Sequence, residues 1–570
     1  MTLTALYRRV FRPATARLRR SSSSAASRIG GRARAPRCSA VPVIRASSAA
    51  ANDDDMMGEK ALEATAACAR CRGEGALFTL SKAQRKKRKA NGDGDGAIPR
   101  EVPAKRIDCV DCGGSGVTRA RANARVQPAS DAEVAVVGGG VGGVALALAL
   151  RHRGVRAMVY ERDESFESRK QGYGLTMQKY SGGAALRSLG LQLRGVGSDA
   201  HVSMASDGRV LGLYGHSARE GGTTKEDLGD ECGSVSEAMS DEKRNVHLPR
   251  QKLRQSLLEA LEPECVKWGK RFDAYEEVDD GVVLKFEDGT SAKAGILVGA
   301  DGIFSRVRAQ KLGDEPLSYL GVLVVLGICR GVDHPLCRNK VFQVVDGENR
   351  MYAMPFTASA DGDGCIPPLD GGEDETTSEE TQPGAMMWQL SFPVSEDEAK
   401  AIAADPARLR QEAMRRCGSW PDPVGTLLEH TREDCMAGYP AFDRDMTPAK
   451  VLRGDASSRV TLIGDAAHPM SPFKGQGANQ ALLDAVNLAR CIVRSPEYLL
   501  PGERRYGCVH PFATVQDALA EAEKSMLQRS KGKVTKSRDA AKYLHSPAAL
   551  TEGNCVRAHA AAGALAGGDE

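Results

Sequence analysis

Asp131-Ala-Glu-Val-Ala-Val-Val-Gly138-Gly139-Gly140-Val-Gly-Gly143-Val-Ala-Leu-Ala-Leu-Ala-Leu150 sets a short apolar β run, a Gly-x-Gly-x-x-Gly turn and an Ala/Leu helix in succession. Glycine at 138 lets the chain turn sharply. Glycine at 140 lets backbone N–H groups approach a pyrophosphate at the helix N-terminus, and glycine at 143 lets helix and strand pack closely. A second apolar run, Ala157-Met-Val-Tyr160, ends in Glu161, the acid about 20 residues beyond such a turn that holds a ribose hydroxyl. The glycine pattern alone fits any Gly-rich turn of an α/β domain. Strand, helix, second strand and acid together predict a dinucleotide site.

Two further apolar strands end in polar, glycine-containing turns. One is Ile296-Leu-Val-Gly-Ala-Asp301-Gly302-Ile-Phe-Ser305-Arg306-Val-Arg308. The other is Val460-Thr-Leu-Ile-Gly464-Asp465, which opens the run Gly464-Asp-Ala-Ala-His-Pro-Met-Ser-Pro-Phe-Lys-Gly-Gln-Gly-Ala-Asn-Gln480. Three such strands spread over so much chain imply one sheet interrupted by a large insertion. The arrangement resembles the FAD-dependent monooxygenases of the single-component aromatic-hydroxylase type, the family of para-hydroxybenzoate hydroxylase, the tetracycline-degrading monooxygenase and ubiquinone-pathway hydroxylases. The resemblance covers roughly residues 131–550 and rests on three motifs in the family order. It implies an α/β fold: a Rossmann-like FAD-binding domain, an inserted, mostly antiparallel β-sheet substrate domain, and C-terminal helices.

Carried over by this resemblance, Gly138, Gly140 and Gly143 cradle the FAD pyrophosphate, Glu161 binds the ribose of the AMP half, and Arg162 lies beside the adenine. Arg250, in His247-Leu-Pro-Arg-Gln-Lys-Leu-Arg254, matches an arginine that opens a helix next to the flavin; the alternative is a solvated charge at a helix start. Asp301 and Gly302 are associated with FAD and nicotinamide-cofactor binding. Asp465 takes the ribityl or pyrophosphate region, Pro472 is a further cofactor contact, and the backbone of Gly475-Gln476-Gly477 faces the isoalloxazine pyrimidine ring. Peptide N–H groups aimed there stabilise the negative charge of reduced flavin. Lys474 departs from the small residue usual at its position; it raises the flavin potential, meets an acidic substrate or, the preferred reading, reaches solvent. His468 is given no role, and no catalytic side chain is assigned.

The implied chemistry is reduction of FAD by NADPH or NADH, addition of dioxygen at the flavin C4a, and transfer of one oxygen to an activated ring or alkene. No second Gly-x-Gly-x-x-Gly follows an apolar strand, which fits a nicotinamide cofactor that visits transiently. The substrate class is a small aromatic, a quinone precursor or an isoprenoid. Substrate selection is expected between residues 310 and 460, where Tyr319-Leu-Gly-Val-Leu-Val-Val-Leu-Gly-Ile328, Lys340-Val-Phe-Gln-Val-Val345 and Met386-Met-Trp-Gln-Leu-Ser-Phe392 read as strands. Tyr352, Met354, Phe356 and Trp388 are candidate pocket walls, against the plainer reading of core residues. Two other functions compete: a flavoprotein reductase or halogenase, and a redox sensor or scaffold. Trp268, Trp388 and Trp420 supply no Trp-x-Trp cluster of the halogenase kind.

Cys68-Ala-Arg-Cys71-Arg-Gly73-Glu-Gly75 and Cys109-Val-Asp-Cys112-Gly-Gly114-Ser-Gly116 are two copies of Cys-x-x-Cys-x-Gly-x-Gly. Four thiolates in two knuckles suit structural, tetrahedral zinc; redox-active or solvated thiols are the alternatives. The repeats resemble the zinc knuckles of DnaJ-type chaperones, with two copies where that family has four and with no J-domain His-Pro-Asp, so a protein partner for the knuckle is expected rather than a full co-chaperone. Between them, Lys82-Ala-Gln-Arg-Lys-Lys-Arg-Lys-Ala90 and Asn91-Gly-Asp-Gly-Asp-Gly96 read as a solvated loop rather than a nucleic-acid contact.

Residues 1–45 hold eleven arginines, no Asp or Glu, and the run Ser21-Ser-Ser-Ser-Ala-Ala-Ser27, the composition of an organelle transit peptide; chloroplast is preferred over mitochondrion. Loss of those arginines takes the formal charge from +4 to −7, so the basic balance says little about partners. The expected organisation is a leader (1–45), a linker (46–66), the knuckle region (67–118), a linker (119–130), the monooxygenase domain (131–550) and a tail (551–570). Apart from the four knuckle positions the cysteines are scattered, which fits free thiols in a reducing compartment. No transmembrane span is needed. Residues 216–245 and 360–384 read as polar loops, and residues 515–544 as helix closing over the domain.

Overall fold

The computed structural model describes residues 65–68, 70–71, 76–79, 105–112, 117–119, 132–168, 173–191, 195–198, 200–215, 245–313, 316–357, 384–498 and 512–551. The leader, the basic run after Lys82, nearly all of both polar stretches and the tail lie outside them.

Strand β1 (Ala132–Val137) runs into helix α1 (Val141–Arg151) and returns as β2 (Ala157–Tyr160), parallel to β1 with Val134 opposite Ala157. On the other side β1 pairs in parallel with β11 (Ser291–Gly299), Ile296 opposite Val134, and β11 pairs in parallel with β17 (Val460–Leu462). The order β2-β1-β11-β17 brings the polar ends of all the motif strands to one edge of the sheet. The strip β8 (Val266–Lys267) borders β2, and the antiparallel β9 (Phe272–Val278) and β10 (Gly281–Phe286) extend from the first half of β11. Val134, Ala135 and Val136 are wholly buried, as a strand covered on both faces must be. Helix α1 is buried along nearly its whole length, which explains why it is apolar all round: it packs against α9 (Gly477–Ile492), with Gly142 against Ala481.

A three-stranded sheet, β3 (Gly174–Met177), β7 (Val246–Pro249) and β4 (Val196–Gly197), lies between this body and the insertion. The insertion forms the predicted sheet from β12 (Ser318–Cys329), β13 (Lys340–Val345), β14 (Arg350–Pro355), β15 (Met386–Pro393) and β16 (Met436–Asp443). It gains an edge that the sequence reading missed. β5 (Ala200–Ala205) pairs in parallel with β13, and β6 (Val210–Gly215) pairs with β5, in an otherwise antiparallel sheet.

The pleat sorts this sheet's residues. Phe342, Val344, Met351, Trp388, Leu390 and Phe392 face outward onto α5 (Glu396–Ala403), α6 (Pro406–Cys417) and α7 (Val424–Glu429), while Val341, Met354 and Met387 face inward. Trp388 is therefore core, its Nε1 donating to Thr431 Oγ1 at 2.8 Å, and not a pocket wall. Helices α2 (Gly182–Ser188), α3 (Arg250–Ala260), α4 (Arg306–Leu312) and α8 (Ala449–Arg453) flank the body. Where C-terminal helices were expected, residues 515–544 form one 30-residue element, α10 (Val515–Leu544), started by a Thr514/Asp517 capping box. No helix among the described residues is long and apolar enough to cross a membrane.

A Cβ at Gly143 would meet the Gly138 carbonyl oxygen at 2.0 Å, whereas one at Gly140 would meet nothing within 4 Å. Gly143→Ala is expected to destabilise the apoprotein by about 1–3 kcal/mol, and Gly140→Ala by under about 1 kcal/mol. Urea unfolding of the two variants checks the contrast.

Candidate functional site

The glycine turn is shaped by backbone contact. Gly138 has φ +109°, and a side chain there would strike the Ala300 carbonyl at 2.5 Å, so the turn lies directly against the end of β11. Gly139 N–H donates to Glu161 Oε2 at 2.7 Å and Asp163 N–H to Oε1 at 3.0 Å. Each carboxylate oxygen keeps a further lone pair. Arg162 is half-buried beside it.

Arg254, to which the sequence assigns no role, organises this end. Its Nε donates to the Gly139 carbonyl at 2.7 Å, its Nη2 lies 4.0 Å from Glu161 Oε2, and its guanidinium sits over the rings of Phe166 and Trp268, both at 5.4 Å. The available signal was spacing: Arg250 and Arg254 are four apart on α3 and share a face.

Asp301 is engaged locally. Its carboxylate accepts from Ser305 Oγ at 2.5 Å and Arg306 N–H at 2.8 Å, capping the start of α4. Burial pushes the carboxyl up, and these bonds oppose the shift. Gly302 turns at φ +82° with open space at its Cβ position. Arg308, buried, donates to Thr447 Oγ1 at 2.7 Å and to the carbonyls of Ala466 and Ala467 at 3.3 and 3.2 Å, fixing the turn after β17.

On that turn Asp465 is exposed to solvent yet has protein on most sides, 3.7 Å from where a Cβ of Gly477 would lie. Burial pushes its carboxyl up; the charges of Arg250 and His468 pull it down, and Asp484 adds to the push. Arg250, with its N–H on the Tyr173 carbonyl at 3.0 Å and its guanidinium 5.0 Å over the Tyr173 ring, thus belongs to the same cleft. His468 points away from the cleft into the protein. Its Nε2 is 2.7 Å from Asp484 Oδ2, which also accepts Gly464 N–H at 3.0 Å, while Arg529 holds Oδ1. Burial disfavours charge on the ring, but Asp484 outweighs it and raises the imidazole pKa.

Pro472 begins a single 3₁₀ turn closed by Gly475 at φ +58°, and Gln476 is the buried N-cap of α9. The free N–H groups of the first turn of α9 therefore open beside Asp465. Lys474 is half-buried rather than fully solvated. Asn479 fixes the loop: its Oδ1 accepts from the N–H groups of Gln178 and Gly182, both at 3.0 Å, and its Nδ2 donates to the carbonyls of Thr176 at 2.8 Å and Gly475 at 3.0 Å. No local pattern in the sequence announces those partners. Met354, Phe356 and Met387 of the insertion sheet form one cluster, with Tyr173 and Tyr352 packed against them.

In the N-terminal region strands Thr65–Ala67 and Val117–Arg119 pair, as do Ala76–Thr79 and Lys105–Asp108. They bracket Cys68, Cys71, Cys109 and Cys112, whose sulfurs all lie within 4.8 Å of one another, with Cys68 to Cys109 at 3.8 Å and Cys71 to Cys112 at 3.6 Å. Sulfurs around a tetrahedral zinc ion stand about 3.8 Å apart, given Zn–S bonds near 2.3 Å. Arg70 and Asp111 join the two knuckles by a 2.8 Å ion pair.

A parallel sheet whose strand ends gather a glycine turn, a ribose-type acid and a helix N-terminus, faced by an inserted sheet, defines a flavin-dependent oxidoreductase fold. Residues 131–318 and 443–495 match the FAD binding domain family. The chain is 30% identical over 381 residues to a 3-amino-4-hydroxybenzoate 2-monooxygenase of Streptomyces platensis, covering 65% of this chain and 82% of the relative. It is 26% identical over 448 residues to the chloroplastic zeaxanthin epoxidase of Solanum lycopersicum, covering 75% and 59%. The structure of Klebsiella pneumoniae HpxO complexed with FAD and uric acid superposes with a TM-score of 0.55 at 22% identity, over 74% of this chain and 91% of that one. The chain belongs to the FAD-dependent monooxygenases and is an oxidoreductase that binds FAD.

Asn479→Ala removes a partner from the N–H groups of Gln178 and Gly182 and from the carbonyls of Thr176 and Gly475, of which Gly182 is buried and Gln178 and Thr176 are half-buried. It is expected to cost at least about 2 kcal/mol, read as a lowered urea midpoint with unchanged slope.

Proposed function

We propose that this protein is an NADPH- or NADH-consuming FAD monooxygenase that hydroxylates or epoxidises a small aromatic, quinone-precursor or isoprenoid substrate, with an aromatic favoured. The carrying observation is that Arg250 connects the two halves of the site: its charge acts on Asp465, which lies beside Gly477, and its guanidinium lies over Tyr173, which packs against Met354, Phe356 and Met387 of the insertion sheet. The aromatic preference is supported by the aminohydroxybenzoate substrate in the name of the relative and by the aromatic and sulfur-lined wall.

The residues present fit FAD. Open space at Gly140 and the N-terminus of α1 suit its pyrophosphate, the turn at Gly138 and Gly143 leaves no side chain in the way, and Glu161 has lone pairs for the ribose with Arg162 at the adenine. Because the Asp301 carboxylate caps α4, we assign its part in the site, with Gly302, to the backbone turn. Asp465 and Arg250 serve the ribityl and pyrophosphate region. Pro472, Gly475, Gln476 and Gly477 lie along the pyrimidine edge, where the first-turn N–H groups of α9 stabilise negative charge. Bound FAD supplies hydride acceptance and oxygen transfer; the chain orients the substrate and keeps the cleft dry.

The four-cysteine cluster is assigned a structural zinc ion and the knuckle a protein partner, the sulfur spacing supporting the first. A plastid location is supported by the composition of residues 1–45 and by the chloroplastic relative.

Anaerobic bleaching of the bound flavin tests the assignment. NADPH or NADH is expected to reduce it slowly alone and faster with a phenolic and quinol extract; a flavin that neither nucleotide reduces under any of these conditions rejects the reading. Metal analysis of the full chain should return about one zinc per chain, lost in Cys109→Ser without loss of flavin.

A further inference from the structure

Met354 of β14 and Met387 of β15 stand directly opposite each other on the inner face of the insertion sheet, both buried, in one cluster with Phe356. Neither sulfur has a part in holding FAD. We propose that Met354 is an internal oxidation site, where peroxide formed in the cleft when reduced flavin meets dioxygen without substrate converts the thioether to a sulfoxide. This rests on the flavin-monooxygenase reading of the cleft.

Two lines of contact lead from this sulfur to the cofactor side. Thr176 Oγ1 donates to Met354 Sδ at 3.6 Å, and the Thr176 carbonyl accepts from Asn479 Nδ2, which also holds the Gly475 carbonyl. The Tyr352 hydroxyl donates to the same sulfur at 4.0 Å. Its ring lies 4.9 Å under the Arg350 guanidinium, which is 5.7 Å from the ring of Phe473 in the 472–474 turn. Thr176 and Tyr352 are half-buried, whereas Met354 is only 2% exposed. Oxidant from bulk solvent therefore meets the half-exposed Met158, Met414 and Met446 first, and oxidant made in the cleft meets Met354 first.

The two sulfurs are not equivalent. Met387 Sδ accepts the Gly174 N–H at 2.9 Å, and a Cβ on Gly174 would meet that sulfur at 3.5 Å. The N–H occupies a lone pair that an incoming oxygen needs. The same Cβ would meet Met354 at its methyl carbon, at 2.4 Å, and the donors to Met354 Sδ are two hydroxyls at longer range. Those hydroxyls bind sulfur weakly and can turn to an oxygen once it is attached. Oxidation at 354 thus gains two donors, while oxidation at 387 breaks a hydrogen bond to the backbone of β3.

Dioxygen takes two electrons and two protons from the reduced cofactor and leaves as hydrogen peroxide. A Met354 sulfur lone pair then attacks one peroxide oxygen: the S–O bond forms, the O–O bond breaks, and the departing hydroxide takes up the proton of the transferred oxygen as water. Sulfur is oxidised by two electrons and peroxide is reduced by two. The apolar wall gains a polar, chiral group. A substrate in the cleft consumes the oxygen instead, so the sulfoxide records turnover without substrate.

The test uses the FAD-loaded full chain without organic substrate. The flavin is reduced under nitrogen with just enough dithionite, and isotopically heavy dioxygen is then admitted with catalase in the bulk, over repeated cycles. Chemical reduction makes the outcome independent of the nicotinamide cofactor. Peptide mass spectrometry reads each methionine. The expected result is heavy oxygen at Met354 at least about tenfold above Met158, Met414, Met446 and Met387. Hydrogen peroxide added to the oxidised enzyme should instead label the three half-exposed methionines ahead of Met354. Met354→Leu, which nearly conserves volume, should leave the cluster unlabelled. Label spread over the half-exposed methionines, label at Met387 or Cys435 in place of Met354, or no label although the flavin is reoxidised overturns the internal site alone. A flavin that does not bind, or that dioxygen does not reoxidise, overturns the monooxygenase reading and this inference with it.

Discussion

Backbone touching backbone is the constraint on which the cofactor end of this protein depends. Gly143 leaves 2.0 Å between a hypothetical Cβ and the Gly138 carbonyl, and Gly138 leaves 2.5 Å to the carbonyl of Ala300. Those approaches lock α1 onto β1 and lay the turn against β11, whose continuation carries Asp301. Once that register holds, the parallel pairing of β17 with β11 delivers Asp465 to the same edge from more than 300 residues away. Side chains then adjust to a frame already fixed: Arg254 clamps the turn to Glu161, and Arg308 clamps the loop after β17.

Much of this was legible because its signals are local. A glycine required by a close approach, an acid at the end of the next strand and a polar turn after each buried strand all declare themselves within a few residues of sequence. Three strands of the insertion, β12, β13 and β15, and the closing helix were legible by period, whereas β16 was not read. What stayed hidden was partner identity across the fold. Asn479 reads as an unremarkable helical residue until its contacts at 176, 178 and 182 are known. Trp388 could not be assigned to a face, because an alternating strand has two faces and only the helices behind it decide which is core. The edge strands β5 and β6 were missed because they precede the insertion they join. Asp301 shows the opposite case, a motif carboxylate whose bonding is spent on its own helix.

The polar interior under the cleft follows one electrical logic. Arg529, Asp484, His468, Asp465 and Arg250 alternate in sign from α10 to the open cleft. Removing such groups from water costs several kcal/mol each, and mutual attraction with full hydrogen bonding offsets rather than exceeds that cost. The series is therefore better understood as fixing one geometry than as adding stability. Asp484 joins Gly464 N–H, His468 and Arg529, which fastens the turn after β17 to α10.

Helix α10 extends this constraint to the substrate side. Its middle binds Asp484 through Arg529, while Ser537 Oγ exchanges hydrogen bonds with Ser471, at 2.7 Å to the Ser471 carbonyl, just ahead of Pro472. Its end packs Ala540, Ala541 and Leu544 against Val322, Val324 and Phe473. One helix thus touches the cofactor-side turn, the loop and the insertion sheet in succession. A shift of the sheet relative to the loop has to strain Ser537, and a shift of the loop has to strain Arg529. The separation between Gly475 and the inner face at Tyr352 and Met354 is accordingly set by a rigid spacer rather than by the pocket residues, so substrate-sized variation in the wall can occur without disturbing the cofactor end.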